Sequence, residues 1–473
     1  MNTQLMQYEQ VSYCFTMNCN KMKKGRYIHR VVIPNSDQVV YVNLFNNAYL
    51  TIQADKVWAF DDALSNPNSD NITTFSAGVR EILFNLGFLI DSNFDEMADL
   101  QKRFIEEKSD MKNLALGIVL TKACNFRCIY CNQEHTSDSF SDDDASRVIE
   151  YIKKSLYGVK SFNITWWGGE PLLKISMIEQ ISNQLISLCH KNNTNYNAFI
   201  STNGSLINLN IAERMLACQI NNIQISIDGP AKWHNKQRPT LSKKDSYKLV
   251  LNGISNLVKT YNTERRFITI RIQLTRQMEI EINEWVKLFN DLQSYKNNII
   301  LHLVPVHETF RFDIHDTIST NEMESQYIKV IELGLQNGFV FADQSILGRN
   351  SLMYCGAIPD RGWFVLPGAR ITKCNNTFDD PNNDCGKIMP NGNLTLFSQA
   401  QKWIEFSPFT LDKCRHCSVL PVCMGGCNIV DYNHASGGRC SIKEKIKRVI
   451  LQDPRRVTIP VNKCTNCCNF INN

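Results

Sequence analysis

Three cysteines, Cys124, Cys128 and Cys131, fall within the eight residues Cys124-Asn125-Phe126-Arg127-Cys128-Ile129-Tyr130-Cys131. Thiolates bind soft metals, and a cubane cluster takes one protein sulfur on each iron, so three cysteines leave one iron without a protein ligand. The apolar run Leu116-Gly117-Ile118-Val119-Leu120 just before them reads as a strand, which delivers the thiols to a strand's carboxyl end. On spacing alone a structural zinc site fits the same residues, because a metal motif is read only together with its context.

From Leu116 onward strand-like and helix-like runs alternate. Strands are expected at Leu116 to Leu120, Phe162 to Trp167, Ala198 to Thr202, Asn222 to Ile227, Phe267 to Thr275 and Ile299 to Val304. Ser141 is placed to cap a helix with the apolar face Ala145, Val148, Ile149, Ile152 and Leu156, and Tyr247 to Val258 repeats at helical spacing. This alternation predicts an α/β fold with a parallel sheet and right-handed crossovers. The unusual motifs all fall just past strand ends, the face where barrel enzymes build their sites.

After the second strand comes Gly168-Gly169-Glu170-Pro171, whose glycines admit a ligand to the backbone and whose Glu170 offers an acceptor for an ammonium group. Ser201-Thr202-Asn203-Gly204 follows the third strand, with short polar side chains placed to reach a ribose. The fourth ends in Ser226-Ile227-Asp228-Gly229-Pro230, and Arg271 stands alone in an otherwise apolar strand. His234 reads as a loop histidine that fixes its own loop, His302 and His307 as satisfied core residues, and Cys189 and Cys218 as packing thiols.

At 473 residues the chain is long enough for about three domains. Residues 1 to 110 open with three strand-like runs, Tyr27 to Pro34, Gln38 to Leu44 and Ala48 to Ile52. Two helical segments follow, the second closed by Gly87, and then a short strand at Phe88 to Asp91. Eleven of the eighteen cysteines lie between Cys355 and Cys468, with a core Cys414-x2-Cys417-x5-Cys423-x3-Cys427 and Cys440 beyond it. Zinc ribbons use the same two-residue spacing, so zinc stays open there too. The net charge of +5 without a basic stripe gives nucleic-acid binding no support. No apolar run has membrane length and no signal peptide opens the chain, so a soluble protein of a reducing cytoplasm is expected.

With these motifs in place, the chain resembles the radical S-adenosylmethionine (radical SAM) enzymes, and within them the SPASM-domain branch of the peptide-maturase (RiPP) type. The resemblance implies a winged-helix-like leader-peptide-recognition domain at 1–110, a partial (β/α)6 TIM-like barrel at 111–343, a cysteine-rich SPASM domain at 344–450 and a cysteine-containing tail at 451–473. It implies S-adenosylmethionine and a [4Fe-4S] cluster on Cys124, Cys128 and Cys131, with Tyr130 near the adenine. Gly168, Gly169 and Glu170 would lie at the methionyl amine, Ser201, Thr202 and Asn203 near the sugar, and Ser226 and Arg271 at the carboxylate. His234 and Arg238 match a pattern common in the SPASM branch.

Two auxiliary [4Fe-4S] clusters are implied, one on Cys414, Cys417, Cys423 and Cys440, the other on Cys355, Cys374 and Cys427. The chain departs from the family pattern twice: five residues separate Gly368 from Cys374 where four are usual, and no cysteine lies between Cys218 and Cys355. The second auxiliary cluster therefore has an open iron or takes Cys385. Cys464, Cys467 and Cys468 lie beyond the matched domain, and a disordered end is the default reading. The implied reaction is hydrogen abstraction from a ribosomal precursor peptide by a 5′-deoxyadenosyl radical, ending in a thioether or carbon–carbon crosslink. Electrons would come from a flavodoxin or ferredoxin, with no membrane or nucleic-acid partner. A sulfatase-type maturase that makes formylglycine, a peptide epimerase and a non-catalytic zinc-binding interaction protein are the alternatives.

Overall fold

A computed structural model describes residues 21–32, 37–68, 77–131, 133–274, 281–305, 329–342, 351–353 and 355–426. Cys14, Cys19, His307, Cys427, Cys440 and the tail cysteines Cys464, Cys467 and Cys468 lie outside them. The described residues fall into two compact units, one drawn from Met1–Arg103 and Pro408–Asn473, the other from Phe104–Ser345 and Ser351–Ser407.

In the first unit the early strands are β1 (Met22–Lys24), β2 (Ile28–Val32), β3 (Gln38–Asn43) and β4 (Ala48–Gln53), followed by α1 (Val57–Ser65), α2 (Ala77–Asn85) and β5 (Leu89–Asp91). β2, β3 and β4 form an antiparallel three-stranded sheet in that order, and β1 pairs with β5. Tyr41, Leu50, Phe60, Leu64, Leu83 and Phe88 meet in one apolar core, as the alternation in the strands and the helical spacing require. Gly87 closes α2 at φ +68°, with its own N–H on Phe84 O and the Phe88 N–H on Leu83 O. That is the left-handed termination glycine permits.

The second unit begins within α3 (Glu96–Lys108), and its centre is a ten-stranded sheet. Its strands are β6 (Asn113–Val119), β7 (Ser161–Trp167), β8 (Asn195–Thr202), β9 (Ile220–Ser226), β10 (Ile268–Leu274), β11 (Ile299–Pro305), β12 (Gly362–Leu366), β13 (Arg370–Thr372), β14 (Gly386–Ile388) and β15 (Leu394–Leu396). The order is β11-β10-β9-β8-β7-β6-β12-β13-β14-β15, parallel from β11 through β12 and antiparallel after it. The crossovers carry α4 (Asp142–Ser155), α5 (Ile175–Lys191), α6 (Leu209–Ala217), α7 (Ala231–Gln237), α8 (Ser246–Tyr261) and α9 (Ile282–Leu292).

All six strands expected from the alternation are present, β6 and β8 reaching three residues further toward their amino ends. The sequence did not announce β12 to β15, of which three are only three residues long, too short to show a period. β12 lies parallel to β6 because Gly117 leaves room for the Phe364 ring, which a Cβ there would approach to 2.2 Å.

Ser141 caps α4 as its position predicts. Its hydroxyl accepts from the Asp144 N–H at 3.1 Å, and the Asp144 carboxylate accepts from the Ser141 N–H at 3.0 Å, a reciprocal capping box. Asp144 also accepts from the Gly368 N–H at 3.1 Å, so the cap reaches the β12–β13 turn. Ser141→Ala is therefore expected to cost about 1 kcal/mol, read as a lowered thermal unfolding midpoint of the metal-free protein with unchanged far-UV circular dichroism.

Candidate functional site

The cysteine loop leaves β6 and is fixed on two sides by backbone. On one side Arg127 N–H donates to Pro239 O (2.8 Å), Ile129 N–H to Gln237 O (2.9 Å) and Leu241 N–H to Asn125 O (3.0 Å), with a bridge between Phe126 and Thr240. These pairs keep one antiparallel register, so residues 125–129 lie as a strand along residues 237–241. On the other side Gly169 N–H donates to Thr121 O (2.8 Å) and Glu170 N–H to Ala123 O (2.9 Å). A Cβ on Gly168, at φ +143°, would stand 2.5 Å from Thr121 O, and one on Gly169 would stand 2.4 Å from Ala123 O. The paired glycines let the β7 end lie directly against the start of the cysteine loop.

Glu170, expected as an acceptor for an ammonium group, also accepts hydrogen bonds from within the fold. It is fully buried, and its carboxylate accepts from Leu172 N–H (3.0 Å), the Thr202 hydroxyl (2.7 Å) and Asn203 N–H (2.8 Å). Burial pushes its pKa up while these three donors pull it back. The side chain thus ties the end of β7 to the end of β8. Thr202 and Asn203, both buried, are drawn into the same network, and the Asn203 amide donates to Asn125 Oδ1 in the cysteine loop at 2.8 Å. Ser201 instead stays half-exposed and accepts from Gln224 Nε2 at 3.0 Å.

Tyr130 has its hydroxyl in a buried charged cluster. Its O–H donates to Asp228 Oδ2, Arg238 Nη1 donates to the same hydroxyl, and Arg238 Nη1 lies 3.6 Å from Asp228 Oδ2. The Arg238 guanidinium also sits 5.9 Å from the Tyr130 ring centroid and 6.0 Å from that of Phe126. Burial raises Asp228 despite the arginine. His234, fully buried, accepts the Asp228 N–H on Nδ1 at 3.2 Å, which puts the ring's proton on Nε2, and burial holds it neutral. His234 lies in α7 rather than in a loop, and it fixes the turn at Asp228 that leads into that helix.

The sheet has two unlike faces. Ile164, Trp166, Ile200, Ile223, Ile225, Ile270, Ile272 and Leu301 point to the buried face, while Thr165, Ser201, Gln224, Ser226, Thr269, Arg271 and His302 alternate with them on a half-exposed face. Ser226, Arg271 and His302 are register partners across β9, β10 and β11. Burial lowers the Arg271 pKa, and Tyr130 and Asp228 pull it back, which brings this row within electrostatic reach of the cysteine loop.

Burial pushes the Cys124 thiol up to about 12 and the Cys128 thiol up to about 11, and raises Cys131 as well. Such thiols ionise only for a partner that compensates them, which a metal does. The residues fit an iron–sulfur cluster in three respects. The donors are soft and free, Cys124 Sγ accepts the Phe126 N–H at 3.4 Å, and Arg238 Nε is buried nearby without a partner among the described residues. Among the described residues no three ligand side chains converge on a single ion. A cubane asks for something else, one thiolate on each of three irons.

The carboxyl-terminal cysteines divide between the two units. Cys374 is buried, with Sγ accepting the Asn376 N–H at 3.4 Å, and Cys385 is buried just before β14, whereas Cys355 is exposed. Cys414, Cys417 and Cys423 belong to the other unit and share a compact run of turns, in which Cys417 N–H donates to Cys414 O at 3.0 Å. What the sequence reading missed is the role of residues 237–241 as a template for the cysteine loop. Its only signal was the nearness of His234 and Arg238 to the fourth strand.

Residues 118–287 match the Radical SAM superfamily. The chain therefore carries the domain of a radical SAM superfamily enzyme, built on a parallel α/β sheet. It is 35% identical over 155 residues to an uncharacterised protein of Methanocaldococcus jannaschii, covering 32% of this chain and 50% of that protein. A GTP 3′,8-cyclase of Helicobacter pylori is 30% identical over 148 residues, 30% of this chain and 43% of the cyclase. This chain thus spans about half the length of these relatives or less. The radical SAM cyclopropyl synthase TigE of Paramaledivibacter caminithermalis is 24% identical over 277 residues, 54% of this chain and 55% of the synthase. Among solved structures, anSMEcpe with bound AdoMet superposes with a TM-score of 0.56 at 18% identity, covering 74% of this chain and 99% of that one. At that identity the likeness is one of fold.

Glu170→Gln tests the junction between β7 and β8. An amide nitrogen would face backbone or hydroxyl donors, a mismatch that costs roughly 1–3 kcal/mol in a buried site. The metal-free variant is expected to unfold at a lower temperature and to exchange the Asn203 amide faster than the parent.

Proposed function

We propose that the chain is a radical SAM maturase that takes a hydrogen atom from a ribosomally made precursor peptide and installs a thioether or carbon–carbon crosslink. The observation that carries this reading is the half-exposed polar face of the parallel sheet, which runs up to the cysteine loop at the strands' carboxyl ends. Cys124, Cys128 and Cys131 would hold a [4Fe-4S] cluster, and with S-adenosylmethionine on its open iron the pair supplies a 5′-deoxyadenosyl radical. The chain's own part is positional. The glycines at 168 and 169 keep the β7 end against the loop, Ser201 and Ser226 offer hydroxyls on the open face, and Arg271 offers a cation for a carboxylate.

A peptide substrate is supported by the first unit. Among the described residues β2 and β4 each have a strand on one side only, and an exposed edge can take an extended leader peptide as a further strand. The fold is shared with anSMEcpe, whose structure with bound AdoMet and the Cp18Cys peptide superposes at a TM-score of 0.55. Cys355 and Cys374 in one unit and Cys414, Cys417 and Cys423 in the other are the ligands proposed for auxiliary clusters. Cys427 and Cys440, assigned with them, lie outside the described residues.

Anaerobic reconstitution with iron and sulfide tests the proposal. The protein is expected to turn brown, with about four irons for one cubane and about twelve for three. Given a strong reductant and S-adenosylmethionine, it should release 5′-deoxyadenosine and methionine, and Cys128→Ala should abolish the release. With its precursor peptide the product should be lighter by one pair of hydrogens. Colourless, zinc-loaded protein without deoxyadenosine release would overturn the reading, and an unchanged mass with inverted residues would replace crosslinking with epimerisation.

A further inference from the structure

Arg238 is nearly fully buried, yet among the described residues its only carboxylate within ion-pair distance is Asp228 at 3.6 Å, and its Nε has no partner. A cation is not kept in such a place without an anion to match it. Asp228 does not supply the whole of that match. One of its oxygens takes the Tyr130 O–H, and the Gln273 backbone also draws on the carboxylate.

Further side-chain contacts of Arg238 are to the cysteine loop. Nη1 donates to the hydroxyl of Tyr130, which lies between Cys128 and Cys131 in sequence, and the guanidinium stands about equally far from the Phe126 and Tyr130 rings. The backbone around it, Gln237 and Pro239, accepts the N–H groups of Ile129 and Arg127. The arginine, at the end of α7, is thus carried on the same segment that pairs with the loop.

We infer that Arg238 is a positioning and potential-setting residue for the cluster on Cys124, Cys128 and Cys131. Its buried positive charge is the standing counter-charge of the thiolate-bound cluster and makes its one-electron reduction easier. The inference rests on the proposed cluster and adds a residue that is not one of its ligands. Cluster potentials follow net charge and hydrogen bonding around the sulfurs, and a fixed cation in a low-dielectric site acts at close to full strength.

The test compares Arg238→Gln, which removes the charge, with Arg238→Lys, which keeps it but loses the fork. Full-length protein is reconstituted anaerobically and titrated potentiometrically with dithionite, following the EPR signal that responds to added S-adenosylmethionine. Arg238→Gln should shift the reduction equilibrium about tenfold toward the oxidised cluster, 59 mV more negative for a one-electron couple. Arg238→Lys should keep the parent potential. A parent potential in Arg238→Gln, or equal shifts in both variants, would overturn the inference, because a purely structural role ignores charge. Should Arg238→Gln take up no iron, Arg238→Lys decides. Iron uptake at the parent potential supports the counter-charge, and equal failure of both variants overturns it. Parent protein that never takes up iron would instead overturn the proposed cluster itself.

Discussion

The cysteine loop is held by backbone before any metal is considered, and the rest of the second unit is arranged to make that possible. Residues 125–129 form an antiparallel pairing with residues 237–241 on one side, and the β7 glycines press against residues 121–123 on the other. A three-thiol loop left free would lose conformational entropy on every ligation, at about 1–2 kcal/mol for each residue ordered. Here much of that ordering is complete in the folded chain. The cost appears elsewhere, as a buried arginine, a buried aspartate and three thiols whose ionisation burial opposes.

The two faces of the sheet divide the labour. The face lined by Ile164, Ile200, Ile223, Ile225 and Ile270 is fully buried and supplies the hydrophobic stabilisation, on the order of 25 cal/mol for each square ångström of apolar surface removed from water. That leaves the opposite face free to be polar and half-exposed. A closed eight-stranded barrel fills its interior with packed side chains. In this sheet, among the described residues, β11 ends one side of the order, an isolated bridge joins Leu301 to Phe341 beyond it, and the polar row of Ser226, Arg271 and His302 lies on the half-exposed face.

Much of this was legible in the sequence where the signal is local. The Ser141 cap, the helix it starts, the six parallel strands and the Gly87 terminator each follow from a few adjacent residues. The three thiols also announce themselves, and their place at a strand end follows from the apolar run before them. Side-chain partnerships across long separations were not legible. Glu170 reads as a free acceptor in its tetrapeptide, yet two of its three donors come from Thr202 and Asn203, more than thirty residues away. Arg238 reads as one charged residue in a polar loop until residues 237–241 are seen to lie along the cysteine loop. The pairing has no periodicity to betray it, because residues 237–241 alternate neither in hydrophobicity nor in charge.

The same limit hid the way the sheet continues past β6, and this continuation bears on the proposed chemistry. β12 runs parallel beside β6, and β13 turns back antiparallel to it, so Cys374 follows a strand that belongs to the same sheet as β6 but runs the opposite way. Asp379, five residues after Cys374, lies 2.9 Å from Lys122 Nζ and accepts the Glu134 N–H at 2.7 Å, which brackets the cysteine loop from outside. Asp379 is almost fully buried and Lys122 largely so, so this pair is screened far less than a surface bridge. A crosslink formed after hydrogen abstraction leaves one electron to be removed, and an acceptor that moved independently of the first cluster would make that transfer erratic. A ligand segment built into the same sheet and fastened to the same loop removes that freedom. On the proposed reading, the shared sheet and the Asp379 contacts to Lys122 and Glu134 are therefore what keep the segment carrying Cys374 in fixed relation to the cysteine loop.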